Sequence, residues 1–238
     1  MASKNVPSVT RVLLTAGRWS LILAPLMLAV GWALSYRSVS DFLTPDFSSP
    51  YTDSGGKSPA EEFLTTITAS DGGFRQLVLP HIFVYAAMPM IIAAGFYVAY
   101  LLFQTTPWRA VIGAGLITIG AVCFVGVLGA WLAFPAVGQV RADRATLLPV
   151  VRELVKPQGM LLVSTGLSIL VFVGLIVLGT ALYKSRIVPR WAAVLVIAGN
   201  TLILAFAGTE NWMTLGSVSM LAGLVPLTRL RVPASAPR

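Results

Sequence analysis

Residues 160–183 read MLLVSTGLSILVFVGLIVLGTALY. The run contains no Asp, Glu, Lys or Arg, and as a helix rising 1.5 Å per residue it covers the roughly 30 Å hydrocarbon core of a bilayer. Lys184, Arg186 and Arg190 follow at once, where long basic side chains reach the headgroups. A stretch this long and this apolar has no amphipathic stripe to divide between a core and water, so it predicts a transmembrane helix. Comparable uncharged cores run through residues 19–36, 78–103, 109–134, 191–207 and 212–228. Together they predict an all-α polytopic membrane bundle of about six transmembrane helices.

Composition agrees. Of 238 residues, 56% are hydrophobic and 11% charged, with a mean hydropathy of +0.82. A soluble domain carries about 25% charged residues, and this chain has too few to keep so much apolar surface in water. Trp19, Tyr36, Trp108, Tyr183, Trp191 and Trp212 fall at the ends of the predicted spans, the headgroup level that amphipathic rings prefer.

Sorting the charges orients the bundle. Lys4, Arg11, Arg18, Arg109, Lys184, Arg186, Arg190, Arg229, Arg231 and Arg238 fall on one side with no acid among them. All 9 acidic residues and the remaining basic ones, Arg37, Lys57, Arg75, Arg141, Arg144, Arg152 and Lys156, fall on the other. The positive-inside rule makes the first side cytoplasmic. An even number of spans is needed for this split, which places residues 1–18 and 229–238 in the cytoplasm and leaves residues 19–228 as one transmembrane domain. Lys4, Arg11 and Arg18 before an apolar core resemble a signal peptide. The core is long for one, and retention as the first span is expected. The setting implied is a bacterial inner membrane. The net charge of +8 is accounted for by this asymmetry, and without a basic patch interleaved with stacking aromatics nucleic acid is not an expected partner.

Two outer loops, 37–77 and 135–159, carry helical signals. Ser58-Pro59-Ala60-Glu61 reads as an N-cap, a proline at the first helical position and a capping-box acid, predicting a short helix to residue 68. Leu147, Leu148, Val151, Leu154 and Val155 share one face of a second, lying on lipid or on the bundle. Small residues four apart, Gly95 and Ala99, Gly126 and Ala130, Ser164 and Ser168, Ser219 and Gly223, predict grooves where helices meet. Gln158, Ser164, Thr165, Ser168, Asn200 and Thr201 offer hydrogen bonds across such contacts, and Pro25 and Pro89 predict kinks.

Reactive chemistry is sparse. No predicted span has a charge near its centre, which argues against an ion-coupled carrier. Cys123 is the only cysteine and His81 the only histidine, so zinc and two-ligand haem sites lack donors; no cofactor or metal is expected. Asp41, Asp46, Asp53, Glu61, Glu62, Asp71 and Glu210 match no calcium loop and read as solvated outer charge. The ligand-binding candidates are His81, Tyr85, Ser164, Ser168 and Asn200, as polar groups within apolar spans.

The segment ALYKSRIVPRW, residues 181–191, reads as a tight cytoplasmic turn in which Pro189 breaks helicity and Trp191 anchors the next helix. Over residues 181–200 it resembles domain-of-unknown-function family 4386, a group of small six-span bacterial membrane proteins. The resemblance implies a fold and a compartment and supplies no catalytic residues. The leading expectation is a non-enzymatic structural or accessory membrane protein, meeting the bilayer and another membrane protein or itself through helix contacts. Two other classes stay open: binding or transport of a lipid or other neutral hydrophobic ligand within the bundle, and a lipid-modifying enzyme with His81 and loop carboxylates at the outer face.

Overall fold

The computed structural model describes residues 8–35, 59–69, 73–140, 142–154 and 159–230. The described residues are helical with no strand. In chain order they form α1 (Ser8–Leu34), α2 (Pro59–Ile67), a π-helical turn (Phe74–Val78), α3 (Leu79–Leu102), α4 (Pro107–Ala133), α5 (Pro135–Gly138), α6 (Arg144–Leu154), α7 (Gly159–Ser168), α8 (Leu170–Ser185), α9 (Arg190–Ala205), α10 (Glu210–Leu224) and a 3-10 turn (Val225–Arg229).

Four stretches are long and apolar enough to cross a membrane: Val12–Leu34, Leu79–Leu102, Pro107–Gly138 and Gly159–Ser185. The chain therefore has the character of a membrane protein. The first helix starts earlier than its apolar core, at Ser8, and carries Arg11 and Arg18 as a helical extension. Pro25 and Pro89 lie inside uninterrupted helices. The third stretch divides into α4 and α5 at Phe134, and the fourth into α7 and α8 at Ile169, beside a Ser168 hydroxyl that donates to the Thr165 carbonyl at 2.6 Å. α9 has 16 residues and α10 has 15, about 24 Å and about 22 Å of helix, short of the roughly 30 Å hydrocarbon core of a bilayer.

The long helices form a closed ring. α1 packs on α3, α3 on α4, α4 on α8, α8 on α9, α9 on α10, and α10 returns to α1. Neighbours run antiparallel, as their contacts show: Gly17 faces Tyr97 and Gly31 faces Val84, while Gly113 faces Leu178 and Gly120 faces Val171. Glycine sets how close these helices come. A methyl group on Gly120 would overlap the backbone of Val171, and Gly199 and Gly216 each sit against the other's carbonyl. Of the predicted grooves, Gly95 receives Ile117, and Gly223 lies on Ala192 and Val196 beside a Ser219 hydroxyl that donates to the Leu195 carbonyl at 3.0 Å. Gly126 does not behave as expected within the ring; it is exposed with nothing near it.

Most predicted cross-helix hydrogen bonds stay local instead. Thr165 donates to Leu161 and Asn200 to Val196, each one turn back on its own helix. Thr201 is exposed, and Gln158 lies outside the described residues. A helix interior always offers a carbonyl four residues back, so a short polar side chain needs no neighbour to be satisfied.

At one end, α2 and α6 cover the termini of α3 and α4. Phe63, Leu64, Ile67, Leu147 and Val151 form a second apolar cluster with Leu77 and Phe134. Leu147 and Val151 of α6 are therefore buried on protein, while Leu154 is exposed and Val155 lies outside the described residues. Its first turn is held by Asp143, whose carboxylate accepts from the Thr146 N–H at 2.9 Å, and bonds from Thr146 keep that carboxyl below its ordinary pKa. Ser58 and Asp71 lie outside the described residues. At the opposite end, α8 stops at Arg186 in a left-handed conformation (φ 56°) and Pro189 caps α9, the tight turn expected there. Arg190 lies over the Tyr183 ring at 5.5 Å, and Trp108 and Trp191 are exposed.

Glycines at the ring contacts and glycines on its surface should respond oppositely to alanine. Gly120→Ala forces α4 from α8 and is expected to lower the melting temperature in detergent clearly. Gly129→Ala meets open space and gains helix propensity, up to about 1 kcal/mol, so its melting temperature should hold or rise.

Candidate functional site

His81 and Tyr85 are consecutive on one face of α3 but meet different surroundings. The His81 Nδ1 lies 2.6 Å from the Leu77 carbonyl, and its ring stacks on Trp131 at 5.8 Å and 18°. Trp131 in turn makes edge contacts with Phe63 and Phe134. His81 thus belongs to the seam between the ring and its cap, while Tyr85 is exposed. Ser164 is half-buried on α7, and Ser168 is buried at the α7–α8 break. Asn200 is fully buried on α9. The five candidates are not gathered around one space: each recorded hydrogen bond among them runs to its own helix or the preceding turn.

A void of about 10 Å³ is lined by Leu21, Val98, Leu178, Val196 and Leu224 among others, all apolar. That is about the room one water needs, and an apolar cavity of that size stays dry. It has no room for a lipid tail. Among the described residues no group of three His, Cys, Asp or Glu could hold a metal ion.

The structure also overturns the expectation for Glu210. Its place between two apolar stretches suggested a solvated outer charge, yet it opens α10 with only 6% of its surface exposed. Its Oε2 is buried without a hydrogen-bond partner. Burial raises its pKa to about 7, because a carboxylate loses more hydration than a carboxylic acid does. The helices and turn against α10 offer little compensation: Arg18 of α1, Arg190 of α9 and Arg229 of the 3-10 turn all lie at the opposite end of the bundle. One turn on, Thr214 is buried and donates to the Glu210 carbonyl at 2.7 Å; Ser217, fully buried, donates to Met213 at 2.8 Å. Glu210, Thr214 and Ser217 stand at i, i+4 and i+7, one face of α10. That spacing was the available signal, masked because Glu210 lies just outside the apolar stretch and reads as loop.

Trp32 of α1 is also buried, with its Nε1 unpartnered, and so is the Asn200 Oδ1. The bundle therefore holds orphaned polar atoms on α1, α9 and α10, and on α3 at the Tyr97 Oη. Unpaired buried groups of this kind cost about 1–3 kcal/mol each.

A raised carboxyl pKa favours the folded state at low pH, and the benefit is fully present below the ordinary value of 4.5 and lost as pH rises through about 7. Thermal stability in detergent should accordingly fall between those values, and Glu210→Gln should flatten that part of the profile. An unchanged slope would show that Glu210 is solvated. No protein-family model, curated protein or solved structure matches the chain, so its own geometry is the basis for assigning the site.

Proposed function

We propose that this is a six-span protein of the bacterial inner membrane, with both ends cytoplasmic, acting as a non-enzymatic structural or accessory subunit through contact between α4 and another transmembrane helix. The observation carrying this reading is the contrast between its glycines. Those at positions 17, 31, 95, 113, 120, 174, 179, 199, 216 and 223 all press against a neighbouring helix. Gly115, Gly126 and Gly129 of α4 and Gly166 of α7 meet nothing within 4 Å. Glycine inside a helix costs up to about 1 kcal/mol against alanine, and lipid gives no return for it, whereas a docking helix does.

The α4 glycines also share a surface. Ile112, Gly115, Ile119, Val122, Gly126 and Gly129 are all exposed and repeat at three- and four-residue steps, the seam of a helix pair. α7, with its exposed Gly166, packs beside α4. For the six-span topology the support is the ring itself, since α9 and α10 lie antiparallel between helices of membrane-spanning length, and the charge asymmetry of the sequence. The turn resemblance over residues 181–200 fits the same layout.

Topology is tested with reporter fusions. Those after Gln104 and Ser185 should report cytoplasm, those after Gly55 and Arg144 the outer side, and any reversal ends the six-span reading. Helix docking is tested by cysteine at Gly129 in a Cys123→Ala background. Oxidation in native membranes should give a specific cross-linked product, abolished by Gly126→Leu while the monomer stays folded. A chain that remains monomeric and uncross-linked in its own membrane would overturn it.

A further inference from the structure

The turn between α8 and α9 gathers positive charge. Lys184, Arg186 and Arg190 follow one another there, and all three are exposed. A further cation comes from α4. Gly113 of α4 meets Leu178 of α8, and one turn further along each antiparallel helix Arg109 reaches the level of Leu182. Arg109 shares the face of Gly113, is half-buried, and so stands within a turn of Lys184. No acid balances these charges among the described residues. Glu61, Glu62, Asp143 and Glu153 stand on or beside α2 and α6 at the capped end. Glu210 opens α10, and it is the other end of that helix, at Gly223, that meets α9 at Ala192.

Arg186 departs from the local rules. At φ 56° it is the non-glycine residue with positive φ among the described residues, and it holds the position just after a helix where glycine is preferred. A Cβ crowds the backbone in that left-handed region, so the chain keeps a long cation where its own backbone favours glycine. Orienting the bundle does not require it, since Arg18, Arg109, Lys184, Arg190 and Arg229 supply the same charge at the same end. An unfavourable conformation retained in this way points to a role for the side chain.

The surroundings are amphiphilic. Tyr183 and Trp191 are 40% and 56% exposed, and the Arg190 guanidinium carbon lies 5.5 Å from the Tyr183 ring centre. Away from the charges, Val194, Ala198 and Thr201 continue the exposed face of α9 from Trp191 at three- and four-residue steps. An acidic peptide matches only the cations. A lipid with a negative headgroup matches the cations, the interfacial rings and the apolar face beneath them.

We propose that the α8–α9 turn is a binding site for an anionic phospholipid. Arg186 holds the phosphate, with Lys184, Arg190 and Arg109 around it, and the acyl chains lie along the exposed face of α9. The site needs α8 to cross the membrane; it depends neither on the docking face of α4 nor on the number of spans.

The test is native mass spectrometry of the full chain in mild detergent, titrated with phosphatidylglycerol or with phosphatidylcholine of the same acyl chains. Phosphatidylglycerol should bind more tightly. Arg186→Gly should weaken its binding about fivefold, the share of one basic residue at an anionic surface. The same variant should melt no lower in phosphatidylcholine, because glycine enters the left-handed region freely, which separates lost binding from lost fold. Arg18→Gln removes an exposed charge from α1 at the same end and should leave lipid binding unchanged. Equal affinity for the two lipids, full binding by Arg186→Gly, or an equal loss in Arg18→Gln overturns the proposal.

Discussion

Close approach of backbones is the constraint on which the rest of this bundle depends. In lipid, apolar side chains gain little by leaving their surroundings for one another, so helices associate through dispersion at short range and a few polar contacts. Short range requires the absence of side chains at the crossing. Gly113 and Gly174 supply this between α4 and α8, and Gly199 and Gly216 between α9 and α10. Each places a carbonyl of one helix where the other's Cβ would be. Ring closure follows, because α1 can meet α10 only if every intermediate crossing is tight.

Leucine and valine line one small void between the helices, and it is dry. Polar groups are tolerated inside where they bond their own helix, as Thr214 and Ser217 do, while atoms of Trp32, Tyr97, Asn200 and Glu210 are left without a partner. Function is sought at two edges of the structure, the lipid-facing surface of α4 and the charged turn between α8 and α9. The cap contributes by shielding the other end of α3 and α4: α2 and α6 bury apolar residues against each other and hold His81 against Trp131.

His81, the sole histidine, meets a carbonyl one turn back and an aromatic ring. Glu210 differs from its sequence reading. One acid among nine in polar segments looks ordinary, and its burial depends on α1 and α9 closing over the first turn of α10. Gly126 shows a third case: its spacing from Ala130 predicted a helix contact, and within this chain the glycine is exposed with nothing within 4 Å.

What the sequence by itself determined was the class of fold, the apolar stretches, the tight turn at Pro189 and the two short helices near residues 59 and 144. These follow from local quantities: run length against bilayer thickness, proline's missing N–H, and capping residues adjacent in the chain. The tertiary structure alone decided which glycines are contacts and which are surface, that the fourth stretch breaks at Ile169, and that Glu210 and Trp32 are buried, each with a polar atom left without a partner. Those depend on which helices become neighbours and at what register. In a bundle whose helices are apolar on nearly every side, no amphipathic stripe writes that register into the sequence.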